Sequence, residues 1–127
     1  MADSANILLV DDEPALVRLM QIYLVKLGYT VESCMDCASA EKLFRERSGN
    51  FELLVADLTL PDSPGDQMAR RMAEQNPKLK VLLCSGYPFE VSVLPEALRS
   101  RFATLQKPFL PKMLESSVRD LLNKPRP

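Results

Sequence analysis

"NILLVDDEP", residues 6–14, joins an apolar run to three consecutive carboxylates and a proline. Ile7, Leu8, Leu9 and Val10 read as a strand covered on both faces. Pro14 suits the first turn of a helix. The chain therefore passes from strand to helix within a few residues, and Asp11, Asp12 and Glu13 stand at the C-terminal end of the strand. Neighbouring like charges repel, and no packing requirement puts them there. The cluster calls for a positive partner.

The same alternation continues along the chain. "TVESC" (30–34), "FELLVA" (51–56) and "KVLLCS" (80–85) read as strands, and "ATLQ" (103–106) as a weaker fifth. Between them, Leu16, Leu19, Met20, Tyr23, Leu24 and Leu27 recur at helical spacing, with Gly28 as the stop. A second helix carries Ala40, Leu43, Phe44 and Arg47. A third, opened by "SPGD", carries Met68, Ala69, Met72 and Ala73. The last begins near Pro111 and is expected to bury Met113, Leu114, Val118, Leu121 and Leu122. The fourth slot, "YPFEVSVLPEALRSR" (87–101), contains Pro88 and Pro95, and Pro95 would break a helix through it. A short or interrupted helix is expected, with residues 95–100 its better half. Strand and helix alternating five times predict an α/β sheet of parallel strands with helices on both faces. One domain is expected over residues 1–127, with its core at about 5–123 and a frayed tail at 124–127.

Bulk composition narrows the function. The 127 residues are 46% apolar and 26% charged, an ordinary globular balance. Sixteen basic against seventeen acidic residues, net −1, argue against nucleic-acid binding. No membrane span or signal peptide is legible, so a soluble cytoplasmic protein is expected. Cys34 and Cys37 spell C-x-x-C, but the only further cysteine is Cys84 and the chain has no histidine, so packing or chance outweighs a redox or zinc site. The absence of histidine also excludes Ser-His-Asp triads and phosphohistidine chemistry within this chain.

In a parallel α/β sheet the C-terminal strand ends share one edge, where ligands bind. Strand one delivers Asp11 and Asp12 there, strand three Asp57, strand four Ser85, and strand five Lys107, followed by Pro108. Each alone has a bland explanation: a helix cap, a strand end, a solvated lysine. Together they do not. Three carboxylates and one ammonium leave a negative excess that a divalent cation would cancel. Oxygen-only ligands select a hard ion, Mg²⁺ above others, and Mg²⁺ is commonly completed by phosphate.

"DD" after strand one, "ADLTLPDSPG" around Asp57, "CSGY" (84–87) and "QKPF" (106–109) resemble the receiver domain of two-component response regulators, in order and over essentially the whole chain. The wording "SGYPFE…LQKPF" is most similar to free-standing receivers and those of hybrid histidine kinases. The resemblance implies a flavodoxin-like three-layer sandwich with strand order 2-1-3-4-5 and five helices, the fourth irregular here. It implies that Asp57 accepts a phosphoryl group from a kinase phosphohistidine. Asp12, Asp57 and the Thr59 carbonyl would bind Mg²⁺, Asp11 mainly through water, while Lys107 and Ser85 would contact the phosphoryl group. Backbone N–H groups near Thr59 and Gly86 would add donors. The Lys107–Pro108 bond would be cis. Thr59 and Tyr87 would tune phosphoryl lifetime, although Tyr87 also reads as a half-buried rim aromatic. Beyond self-catalysed phosphorylation and slow autodephosphorylation, no enzyme activity is expected. The implied partners are a sensor histidine kinase and a histidine phosphotransfer protein or downstream effector, with no nucleic acid and no membrane.

One position departs from the pattern. The family's switching aromatic, three residues before the lysine, is Thr104 here, and the nearest aromatic, Phe102, is read as facing the other side of its strand. With the broken fourth helix, this implies that the face made by helix four, strand five and helix five signals differently or weakly. Three rival classes fit less well. A haloacid dehalogenase-type phosphatase, also an Asp nucleophile with Mg²⁺, needs an acid two residues after it, where Thr59 stands. A flavin or nucleotide binder needs a phosphate loop after strand one, where "DDEPA" would repel phosphate. A docking-only pseudo-receiver usually lacks part of the acidic set, which is complete here.

Overall fold

A computed structural model describes residues 5–123; the tail expected at 124–127 lies outside them. Five strands, β1 (Asn6–Val10), β2 (Thr30–Cys34), β3 (Leu53–Asp57), β4 (Lys80–Ser85) and β5 (Phe102–Gln106), form one parallel sheet in the order β2-β1-β3-β4-β5. The helices are α1 (Pro14–Lys26), α2 (Cys37–Glu46), α3 (Gly65–Gln75), α4 (Glu96–Arg99) and α5 (Pro111–Asn123). This is the expected five-stranded, flavodoxin-like fold. β3 starts two residues later than its apolar run and extends to Asp57, and β5 gains Phe102.

Two apolar layers flank the sheet. Ile7, Leu9, Val55 and Leu82 face α1 and α5, meeting Met20, Leu24, Leu114 and Val118. Leu8, Val10, Leu54 and Leu83 face the other way, onto Phe44, Met68, Met72 and Leu98. β1, β3 and β4 are therefore buried on both faces, which is why their sequences lack polar alternation. Gly28 has φ +102°, the left-handed geometry that ends α1 at little steric cost.

Three expectations fail. In α1 the buried residues are Val17, Met20 and Leu24, and Leu19 is 67% exposed. α1 is apolar almost all round, so periodicity alone does not say which side faces the sheet. Met113 is exposed on the first turn of α5, and the buried stripe is Leu114, Val118 and Leu121. Phe102 and Thr104, two residues apart, share a strand face. Phe102 is buried among Leu94 and Leu98, while Thr104 is exposed nearer the strand's end; depth separates them, not face. The fourth slot is, as expected, interrupted: a 3₁₀ turn at Val91–Val93, Pro95, then four residues of α4. Among the described residues no helix is long and apolar enough to cross a membrane.

Candidate functional site

Parallel register brings the polar strand ends level. Val10 pairs with Ala56, so Asp11 emerges beside Asp57; Asp57 pairs with Cys84, and Ser85 with Gln106. Lys107 follows, its N–H donating to the Ser85 carbonyl at 2.7 Å. The Lys107–Pro108 peptide is cis, as the resemblance implies.

Lys107 is the positive partner that "DDE" calls for. Its Nζ lies 2.9 Å from Asp11 Oδ2, 3.4 Å from Asp57 Oδ2 and 3.6 Å from Glu13 Oε2. Burial opposes the ammonium, but the Asp11 hydrogen bond and the charges of Asp11, Asp57 and Glu13 outweigh it and hold the Lys107 pKa above its ordinary value. Asp57 is pushed up, first by burial and then by the Asp11 charge; Lys107 and the Thr59 backbone N–H pull the other way without reversing it. Asp11 is buried, and its Oδ1 accepts the Glu13 N–H at 3.0 Å. Asp12 is exposed beside it.

Asp11, Asp12 and Asp57 each offer a carboxylate oxygen, and these lie within 4.8 Å of one another. Such a hard, oxygen-only set at that spacing suits a small divalent ion. Three carboxylates against one ammonium leave an excess of two negative charges, so the set also suits such an ion in charge. Ser85 is buried at the same edge, and its Oγ accepts the Tyr87 N–H at 3.0 Å. Tyr87 itself is 55% exposed, which removes the half-buried reading of its ring. Thr59 stands exposed at the mouth.

Two nearby residues escape a reading from the sequence. Gly65 begins α3 so close to β3 that a Cβ there would sit 1.9 Å from the Asp57 carbonyl oxygen. Its position after Pro64 marks a turn, but only the fold reveals the close approach. Asp62 reaches across to the start of α2, which nothing local announces. The C-x-x-C pair is not poised for redox work. Cys37 does open α2, but burial and the neighbouring Asp62 charge raise its thiol to about 11.

The response regulator receiver domain family matches residues 7–119. The chain is 34% identical to the response regulator receiver protein CpdR of Brucella abortus (strain 2308), over 93% of this chain and 91% of that protein. It is 30% identical to the sensor kinase CckA of the same strain over 98% of this chain, but spans only 13% of that much longer protein. The crystal structure of the receiver domain from the hybrid histidine kinase CckA aligns with a TM-score of 0.79 at 25% identity, covering 93% of this chain and 99% of that one. The chain belongs to the response regulator receiver domains, signalling domains of two-component phosphorelays.

Proposed function

We propose that Asp57 accepts a phosphoryl group from the phosphohistidine of a sensor histidine kinase, in a Mg²⁺-dependent reaction. The observation carrying this reading is the convergence of Asp11, Asp12 and Asp57 around Lys107 at the strand ends. Asp12, Asp57 and the Thr59 carbonyl would hold the ion directly. Both Asp11 oxygens already engage protein donors, so Asp11 would act through water. When bound, the ion supplies charge neutralisation and a template for phosphoryl oxygens.

The chain's own groups then do the rest by position and charge. A carboxylate oxygen of Asp57 forms the new P–O bond as the donor's P–N bond breaks. The electron pair stays on the imidazole nitrogen, which takes a proton from water. Lys107 is within reach of an oxygen on Asp57 and pairs with the phosphoryl group. Ser85 Oγ accepts from Tyr87, which leaves its own O–H to donate to a phosphoryl oxygen. Thr59 and Tyr87 overhang the approach of water and set the lifetime of the acyl phosphate, which otherwise decays slowly.

The reading includes one receiver domain over residues 1–127, a cytoplasmic location, and output through a histidine phosphotransfer protein or a downstream effector. Thr59 stands where a haloacid dehalogenase would place its second acid, and nothing favours that alternative. Incubation with Mg²⁺ and acetyl phosphate tests the assignment by intact mass. Wild type should gain one phosphoryl group and Asp57→Asn none; equal labelling of both would move the acceptor elsewhere.

A further inference from the structure

The loop from β3 to α3, residues 58–64, is closed at its base. The Gly65 N–H donates to the Leu58 carbonyl at 2.8 Å, and Thr59 and Pro64 form an antiparallel bridge. Only Leu60, Pro61, Asp62 and Ser63 remain as its tip. Leu60 is buried, and Asp62 leaves the loop altogether. Its Oδ1 accepts the Cys37 N–H and its Oδ2 the Ala38 N–H, each at 2.9 Å.

Those amides are the first two of α2, among the donors a helix leaves without intrahelical partners. α2 already has a local cap: Asp36 Oδ1 accepts the Ser39 N–H at 2.7 Å. Asp62 is a second carboxylate at the same positive helix end, arriving from 25 residues away. Two bonds to two oxygens restrain rotation of the carboxylate as well as its position. The Cys37 thiol adds a weaker link to the Ser63 carbonyl at 3.5 Å.

We infer that Asp62 is a positioning residue of the acceptor loop: by fastening the loop's tip to α2, it holds the Thr59 peptide in register with Asp57. Thr59 stands two residues after Asp57, at the bridge that closes the loop, and its carbonyl is the third ion ligand proposed above, on which this inference rests. Mg²⁺ demands near-ideal octahedral geometry, so a loop free to pivot on its base would offer that carbonyl less well. Coupling is reciprocal: an ion that holds Thr59 also holds Asp62, and through it the first amides of α2.

Amide NMR on the full chain, titrated with Mg²⁺ alone, tests this. Asp62→Ala should weaken Mg²⁺ binding about fivefold, while Asp36→Ala, which loosens the same helix end through its local cap, should stay within about twofold of wild type. Asp62→Asn, with a single acceptor oxygen, should fall between them, and it serves if the alanine variant folds poorly. Exchange of the Cys37 and Ala38 amides should slow on adding Mg²⁺ to wild type, but not to Asp62→Ala. Equal Mg²⁺ affinities for Asp62→Ala and Asp36→Ala, or amides in wild type that ignore the ion, would overturn the inference and leave the phosphoacceptor reading standing. Failure of wild type to bind Mg²⁺ at millimolar concentration would remove both.

Discussion

The loops that follow β3 and β4 border the same site and are built in opposite ways. The β3–α3 loop is buried at Leu58 and Leu60, closed by its own bridge and fastened to α2. The β4–α4 segment, residues 86–95, exposes Tyr87, Glu90 and Val93 and is interrupted by Pro88 and Pro95 before a four-residue α4. Its bond to the site runs through the Ser85 hydroxyl, which accepts the Tyr87 N–H. One loop is itself held firmly beside Asp57, the proposed acceptor. The other is anchored in the core at Leu94, but beside the site it is tethered by the very group expected to turn toward an incoming phosphoryl. Differently anchored segments of one domain open at different free energies, and signalling elements come from the less stable end.

A pair of glycines offers the strongest test of this contrast. Gly65→Ala drives a Cβ to 1.9 Å from the backbone oxygen of Asp57, so the start of α3 must shift. Urea denaturation should show a loss of about 3 kcal/mol or more, with phosphorylation of Asp57 abolished. Gly86→Ala meets nothing within 4 Å and should stay within about 0.5 kcal/mol of wild type. Equal costs would erase the difference between the loops.

Next in size is Lys107→Met. It leaves the buried Asp11 carboxylate without its cation, which should cost the Mg²⁺-free protein about 2 kcal/mol, discounted for the partial exposure of Lys107. The folded Lys107 pKa lies above its ordinary value, so the folded state holds this proton more tightly than the unfolded chain. The contribution is full below the ordinary lysine pKa and is lost as pH rises through the raised folded value. A wild-type advantage that persists unchanged through that alkaline range would contradict the geometry.

Asp57→Asn should act in the opposite direction. Burial and the Asp11 charge raise the Asp57 pKa, so without Mg²⁺ the ionised carboxylate opposes folding as pH rises through that value. The asparagine variant should melt somewhat higher than wild type in chelator. Millimolar Mg²⁺ should raise the melting point of wild type more than that of the variant. A variant less stable than wild type in chelator would count against the charge argument.

The smallest effect is expected on the face of α4 and β5. With Mg²⁺ and beryllofluoride as a phosphoryl mimic, amide shifts should concentrate at residues 85–90 and remain small at Thr104 and α4. Thr104 carries no aromatic to swing inward, and Phe102 is already buried beneath Leu94 and Leu98. Large shifts across α4 and β5 would show a conventional output face despite Thr104.

Much of this was legible before folding because it is local. Strand and helix periods are set by backbone geometry, so β1, β2 and β4 match their expected residues, and Pro95 predicts the broken fourth slot. The candidate residues Asp11, Asp57, Ser85 and Lys107 are brought to one edge as expected, because each stands at or just past the end of a strand. Where the local pattern is degenerate, the expectation fails: α1 is apolar on nearly every side, which leaves the face of Leu19 undetermined, and Met113 stands one position round the helix from the buried Leu114.

The chain's alternation of apolar runs, helical stripes and terminal acids determined by itself a parallel α/β sheet with a charged C-terminal edge. Only the packed structure decided that Lys107 would lie 2.9 Å from Asp11, that Gly65 would press against Asp57, and that Asp62 would close on α2. The Lys107 and Asp62 contacts join residues far apart in sequence through side chains whose reach depends on how the crossovers pack, and the Gly65 approach depends on how α3 docks against β3. No local period encodes that.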